Sequence, residues 1–539
     1  MHIIKKINKN SFIYFLIFVS FLFVGLNSFK DYGVSIDEHF HLTSGKHYYS
    51  FFKGLFSNNS EFLTLGELKE SFKEHYFKDP AIFDFSTAVL ADILNIQDIK
   101  DIYHFRHLLI FLIFLLGSFY FYLILRKRFK SNIIIILGLL FFFLSPRIFA
   151  NSFYNNKDLI FLSISCIFFY YSIKFFEKPL LGNAIIFAIV TSLAFDIRIM
   201  AIIYIFSFYL MLVFHYFDDK NFLIHKYKNF LIALILTIFF IYLFWPYLWI
   251  DPINNLIDYF LVIKDQTPPM QNLYLGSYIV SGSLPWHYEI IWILLTSPLT
   301  IIIFFVIGYL LQSVNIFNNF MNVDKKNHKF WSNKKKFIDF YLFFAFTLTF
   351  LIKIKFGINY GGWRQIYYLY PLIIIFGLCG FEYLISLIKK KILINFLFII
   401  FFSELIFLSL WNYKNHPYQF VYFNPIFKTV TKNNFDLDYW GISNKSVLEK
   451  IFLINEKKSF KVTTISFTNL NDSLRILDPN QREKVTVVYD LNQADYVIDN
   501  HMKKWSSTPG EEILKKDFNI VYNLIIDGNI INTVYKRNL

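Results

Sequence analysis

The sequence predicts a mostly α, polytopic transmembrane helical bundle of about eleven spans, with a large first outer loop and a small α/β outer domain at the C-terminus. Three observations carry this. Of the 539 residues, 55% are hydrophobic and only 17% are charged, and the apolar residues come in runs too long for the core helices of a soluble domain. The basic residues gather in alternate loops between those runs. Beyond about residue 411 the chain turns polar and carries short β-prone segments.

Apolar runs long enough to cross a bilayer lie at about 10–28, 104–125, 132–149, 158–175, 183–197, 199–217, 230–249, 289–311, 338–354, 367–388 and 392–410. The fifth is short and is interrupted by Asp196 and Arg198. The first follows Lys5-Lys6 without a small-residue cleavage site, so it is expected to be an uncleaved span rather than a signal peptide. With the N-terminus inside, the inner loops hold Lys5, Lys6 and Lys9, then Arg126 to Lys130, then Lys220, Lys226 and Lys228, then Lys325 to Lys336, then Lys389 to Lys391. The short outer loops hold only scattered cations such as Arg147, Lys157, Arg198, Lys264 and Arg364. This is the positive-inside asymmetry, and an odd number of spans sends the tail outside. The net charge of +14 is therefore an orientation signal, and no nucleic-acid partner is expected. Cys166 and Cys379 both fall inside predicted spans, so no disulfide framework is expected.

Three outer regions are polar or long. Residues 29–103 read as short amphipathic helices along the interface, such as 63–76 and 85–94. Residues 250–288 carry Pro268-Pro269, Gly276 and Gly282 and read as a structured loop. The tail, 411–539, carries β-prone runs at 461–467, 485–489, 495–498 and 520–526, the last followed by Asp527-Gly528 and 529–535, a hairpin signature. The expected domains are thus a membrane module over 1–410 and an extracytoplasmic α/β domain over 411–539.

The residues able to carry chemistry fall on the predicted outer side. Asp37 and Glu38 lie just past the first span, and with a reference pKa of about 4 both are ionised unless buried. Such carboxylates suit an enzyme that activates a polar acceptor beside a lipid-borne donor, one acting and the other bracing it. A purely structural account makes Ser35 an N-cap and Glu38 its capping-box partner. In Ser145-Pro-Arg147 and Asn156-Lys-Asp158, the polar residues Arg147, Asn156, Lys157 and Asp158 crowd between two apolar runs, where capping and snorkelling are the plain alternative. Arg198 suits a phosphate, whereas an ion pair with Asp196 is its structural account. In Gly361-Gly-Trp-Arg364, adjacent glycines and an arginine would let backbone approach a phosphate or sugar. Trp245-Pro-Tyr-Leu-Trp249 and Leu284-Pro-Trp-His-Tyr288 suit sugar stacking, or simply an interfacial aromatic belt. His39, Asn156, Trp286, His287 and Trp363 are the candidate substrate contacts. His39, His41 and His287 lack a partner motif for a metal, so no metal site and no cofactor are expected.

Taken in order, Ile36-Asp-Glu38, Ser145-Pro-Arg147, Asn156-Lys-Asp158, Asp196-Ile-Arg198, Trp245-Pro-Tyr-Leu-Trp249, Leu284-Pro-Trp-His-Tyr288 and Gly362-Trp-Arg364 form a set. With Tyr418-Gln-Phe-Val-Tyr-Phe-Asn424 and Asp438-Tyr-Trp-Gly441, that set resembles the polyprenol-dependent GT-C membrane glycosyltransferases. Within them it is similar to the protein O-mannosyltransferase-like group that includes the lipid A aminoarabinose transferases. The resemblance covers about residues 30–445. It implies a GT-C-like fold and an inverting hexosyl or pentosyl transfer outside the cytoplasm, from a polyprenyl-phosphate sugar to a lipid, glycan or protein acceptor. It implies Asp37 as catalytic carboxylate with Glu38 as its neighbour, and Asp158 as the acidic residue of the second loop. Arg147, Lys157, Arg198 and Arg364 would hold the donor phosphate. The metal-dependent oligosaccharyltransferase branch carries Asp-x-Asp; Asp37-Glu38 departs from that, which favours a metal-free reaction. The location implied is a bacterial cytoplasmic membrane. The rival readings are a transporter or flippase of lipid-linked glycans, which would place ionisable groups at mid-membrane, and a scaffold acting through its tail.

Overall fold

A computed structural model of the chain describes residues 9–56, 63–218, 220–265, 270–322, 329–455, 457–503, 514 and 516–538. Lys5, Lys6, Pro268-Pro269, Lys325 and Lys326 lie outside the described residues, as do the side chains of Lys9, Lys220 and Lys264.

The chain is a polytopic, mostly helical protein with a small α/β region at its C-terminus. After α1 (Lys9–Ser28) come four helices of the first outer region, α2 (Glu38–Leu55), α3 (Leu65–Ser71), α4 (His75–Lys78) and α5 (Ile82–Ile93). The bundle continues through α6 (Ile99–Arg128), α7 (Asn132–Leu144), α8 (Pro146–Tyr154), α9 (Asp158–Glu177), α10 (Leu181–Ile197), α11 (Ala201–Asp218) and α12 (Lys220–Phe244). A structured connection follows, with α13 (Pro252–Asp265) and the hairpin β1 (Gln271–Tyr274) and β2 (Ser277–Val280). Then come α14 (Tyr288–Thr296), α15 (Leu299–Met321), α16 (Lys334–Phe356), α17 (Tyr370–Leu387) and α18 (Lys391–Lys414).

Among the described residues, eight helices are long and apolar enough to cross a membrane, or nine if the bent pair α7–α8 is one span. Helices α10 and α11 are shorter apolar helices below that length. Three expected runs are cut by proline, and the one over 230–249 stops as α-helix at Phe244, before Pro246. The run 132–149 breaks at Ser145-Pro146 with a bend of 57°, because Pro146 has no N–H to continue the α7 ladder and instead starts α8 at its N1 position. The run 289–311 breaks in the same way at Ser297-Pro298, so the long helix is α15.

Lipid offers no hydrogen bonds, and many of the Ser and Thr hydroxyls inside the bundle are satisfied by their own helices. Ser118, Ser163, Ser172, Thr191, Ser207 and Thr349 each donate to the carbonyl four residues earlier. Small residues let backbones touch: a Cβ on Gly308 of α15 would lie 1.9 Å from the Phe376 carbonyl oxygen of α17, and one on Gly380 would lie 2.2 Å from that of Phe304. Near the ends of α6 and α17, Arg128 bridges Asp339, Glu382 at 3.0 Å and the Cys379 sulfur at 3.1 Å.

The tail begins with α19 (Lys428–Thr431) and α20 (Asn444–Ile454). It then builds a mixed five-stranded sheet from β3 (Phe460–Thr464), β4 (Val485–Val487), β5 (Tyr496–Asp499), β6 (Phe518–Ile526) and β7 (Asn529–Arg537), in the order β4-β3-β5-β7-β6. The Asp527-Gly528 hairpin turns with positive φ at both residues, 49° and 82°. Val34, Leu42, Ile102, Tyr103 and Ile476 form one small core that seats this tail on the first outer region. Arg482 to Asp98 at 2.6 Å and the Lys445 ammonium on the Lys30 carbonyl at 2.7 Å fasten it there.

Candidate functional site

The turn before α2 separates the two adjacent acids. Glu38 is fully buried: one carboxylate oxygen accepts the Ser35 backbone N–H at 2.7 Å and the other meets the His107 ring at 3.1 Å. Only half of the expected capping box exists, since the Ser35 hydroxyl makes no capping bond and the N-cap position belongs to Asp37. Asp37 is half-buried, and its carboxylate makes no hydrogen bond or ion pair among the described residues. It lies within electrostatic reach of Arg364, Tyr439 and His41.

Asp158, at the start of α9, is 1% exposed and holds two arginines. Arg198 bonds one carboxylate oxygen, and Arg364 reaches the other at 3.0 Å, where Asn155 also donates at 3.1 Å. The expected ion pair between Asp196 and Arg198 is not formed. Residues two apart at a helix end point in different directions, and Asp196 instead accepts the Ile82 backbone N–H at 3.0 Å. Gly361 makes room for Arg364: its φ of +65° suits glycine, and a Cβ there would lie 2.8 Å from the Arg364 Nε and 3.1 Å from the Tyr439 ring. The guanidinium lies over the rings of Tyr360, Tyr439 and Trp440, 4.4–4.9 Å from their centroids. Its Nη2 donates to the Tyr439 hydroxyl at 3.0 Å, and burial raises the pKa of that hydroxyl. The Trp440 carbonyl accepts the Ile36 N–H at 3.1 Å. Thus Asp438-Tyr-Trp-Gly441 of the tail meets the segment that bears Asp37.

Arg147 is also buried, stacked 4.7 Å from the Trp292 ring and 5.2 Å from that of Phe423. Its Nε donates to the Tyr422 carbonyl at 3.3 Å, its Nη2 has no hydrogen-bond partner, and no carboxylate pairs with it among the described residues. Lys157 differs, because it is neutralised by Asp79. Burial works to raise the Asp79 pKa, but the Lys157 charge outweighs it and holds the carboxyl below its usual range.

The other candidates scatter. Asn156 donates to Asp84 at 3.1 Å. His39 turns toward Arg475 and Asp472 of the tail. Trp286 is 64% exposed, and the His287 ring bonds the Tyr274 hydroxyl at 2.7 Å. Trp363 is buried with its indole N–H on Thr296 at 2.8 Å and its ring against those of Tyr367 and Tyr370. No group of three or more His, Cys, Asp or Glu among the described residues is arranged to hold a metal ion.

Sequence reasoning passed over several buried charges. Asp84 binds Arg106 at 2.6 Å and faces His41 at 3.6 Å. Lys353 is bonded by Gln365 at 2.5 Å and faces Glu289 at 3.4 Å. The available signal was their place in or beside apolar runs, where an ionised side chain needs a reason.

No family model and no curated protein matches the chain. Among solved structures it is similar to ArnT from Cupriavidus metallidurans in the apo state, at 11% identity over 97% of both chains with a TM-score of 0.46. It is similar also to ArnT from Cupriavidus metallidurans bound to undecaprenyl phosphate, at 11% identity over 97% of this chain and 98% of that one, with a TM-score of 0.45.

Proposed function

We propose that the protein is an integral-membrane glycosyltransferase that moves a sugar from a polyprenyl-phosphate donor to a lipid, glycan or protein acceptor on the extracytoplasmic face. One observation carries the reading: Asp37, whose carboxylate has no hydrogen-bond or ion-pair partner among the described residues, sits within electrostatic reach of a buried arginine fixed from behind by a second acid. Transfer needs a base for the acceptor hydroxyl and fixed cations for the departing phosphate. Asp37 takes the acceptor proton as the oxygen attacks the anomeric carbon, and the phosphate leaves from the opposite side, so the centre inverts. Glu38 braces the turn through Ser35 and His107.

The four outer cations divide by their partners. Lys157 is committed to Asp79, and Asp158 positions Arg198 and Arg364. Arg147 has no acidic partner among the described residues, so an anionic ligand would offset its burial best, and it is assigned to the donor phosphate. The candidates stand at helix ends rather than at mid-span, which supports transfer over transport. The reading includes about eleven spans, a cytoplasmic N-terminus and a bacterial cytoplasmic membrane. It is tested by mass spectrometry of glycolipids and glycoproteins in a strain with and without the gene. A sugar addition that vanishes with the gene is expected. Unchanged glycoconjugates, with a lipid-linked glycan newly trapped on one leaflet, would reject transfer in favour of transport.

A further inference from the structure

His41 lies one turn beyond Asp37 on α2, its backbone N–H donating to the Asp37 carbonyl at 3.2 Å, so the two side chains share a face. Its Nδ1 is 3.6 Å from Asp84 Oδ2. The other Asp84 oxygen is fixed by Arg106 at 2.6 Å and Asn156 at 3.1 Å, and Arg106 is fixed in turn by Thr87 at 2.7 Å. These bonds make Asp84 a rigid anion behind the imidazole. The ring's Nε2 has no hydrogen-bond partner among the described residues. We infer that His41 is a positioning residue for Asp37, accepting from its carboxyl the proton that Asp37 removes from the acceptor. The inference rests on the transferase reading above.

The proton balance closes. The acceptor O–H breaks, its electron pair forms the new glycosidic bond, and the sugar–phosphate bonding pair leaves with the phosphate. The proton passes to the Asp37 carboxylate, then, because the two side chains make no direct hydrogen bond, through solvent to His41, and finally to bulk water, the His41 side chain keeping 16% of its surface exposed. His41 is suited to this by opposing influences. The groups facing it are Asp84 on α5, Asp79 just before α5, Lys157 just before α9 and Asp37 on its own helix, while Arg106 of α6 is held on Asp84. Burial lowers the imidazole pKa, Lys157 adds to that, and the three carboxylates oppose it without overcoming it. The ring is therefore neutral at pH 7 and free to take a proton, and Asp84 stabilises the imidazolium for the instant it exists.

The test uses the full chain in lipid nanodiscs with ¹³C-labelled histidine, the His41 resonance being identified by its loss in His41→Gln and again in His41→Phe. Replacing Asp37 by Asn is expected to lower the His41 protonation midpoint by about one pH unit, and Asp84→Asn to lower it at least as far. In cells lacking the native gene, His41→Gln is expected to slow sugar transfer about ten-fold, less than the ~10²–10⁴-fold of a direct acid or base, because His41 acts through Asp37. A midpoint unmoved by Asp37→Asn, or full transfer by His41→Gln, overturns the role of His41 while leaving Asp37 in place. Full transfer by Asp37→Asn instead removes Asp37 as the base, and this inference with it, whereas no gene-dependent transfer by the wild-type protein would overturn the transferase reading itself.

Discussion

Asp158 binds Arg198 through one carboxylate oxygen and Arg364 through the other, so a single buried acid fixes two arginines from distant parts of the chain. Removing one partner from a buried ion pair strands the other in a medium that solvates it poorly. We predict that Asp158→Ala destabilises the protein by about 3–5 kcal/mol. Thermal unfolding in detergent checks this. A midpoint equal to that of the wild type would mean that the arginines do not depend on the acid.

Arg147 should behave in the opposite way. It is buried without an acid, so Arg147→Met removes an uncompensated charge and leaves its aromatic neighbours packed. Stability should stay level or rise, while affinity for a polyprenyl phosphate should fall about ten-fold or more, the worth of a charge-assisted bond. Calorimetric titration with polyprenyl phosphate measures this, and unchanged affinity would remove Arg147 from the phosphate site.

Gly361 couples backbone geometry to the same cluster. An alanine there meets both an unfavourable φ of +65° and the Arg364 side chain at 2.8 Å. The backbone alone should cost about 1–2 kcal/mol, and displacement of Arg364 should lower transfer beyond any loss of folded protein. Specific activity per folded molecule separates the two effects. Full activity would show that Arg364 tolerates displacement.

Asp436 gives the tail a pH dependence. Its carboxyl accepts the Leu273 N–H at 2.8 Å, and burial pushes its pKa up to about 8. In the unfolded chain it ionises near the ordinary value of about 4. Between those limits the folded state keeps the proton that the unfolded state releases, so stability falls as pH rises, by roughly 1.4 kcal/mol per pH unit from this group. Above about 8 the slope ends. Asp436→Asn should flatten the stability profile between pH 5 and pH 8, roughly the span between the two values. An unchanged slope in chemical denaturation would contradict the burial argument.

Much of the fold is legible in the sequence, because lipid demands long apolar runs and a two-residue hairpin demands Asp527-Gly528 or its like. What could not be read is pairing. Asp196 is the nearest acid to Arg198 along the chain, yet the partner is Asp158, 40 residues away, and Arg364 joins it from 206 residues away. Charge in a helical bundle is settled by which faces meet. One-dimensional spacing does not reveal that. Likewise Pro146 and Pro298 stand in plain view, but whether a proline kinks a span or ends it depends on what its neighbours offer the freed carbonyls. The difference between Asp37 and Glu38 is of the same kind: His107 claims Glu38, and no described residue bonds the Asp37 carboxylate.

The central claim is that Asp37 carries the reaction, and Asp37→Asn tests it most directly, because a side chain without bonds can be changed without loosening the fold. In a strain lacking the native gene, Asp37→Asn at wild-type membrane levels should lose about 10²–10⁴-fold in sugar transfer, read as the missing glycolipid or glycoprotein mass. A glycan profile matching that of the wild-type protein would contradict the account.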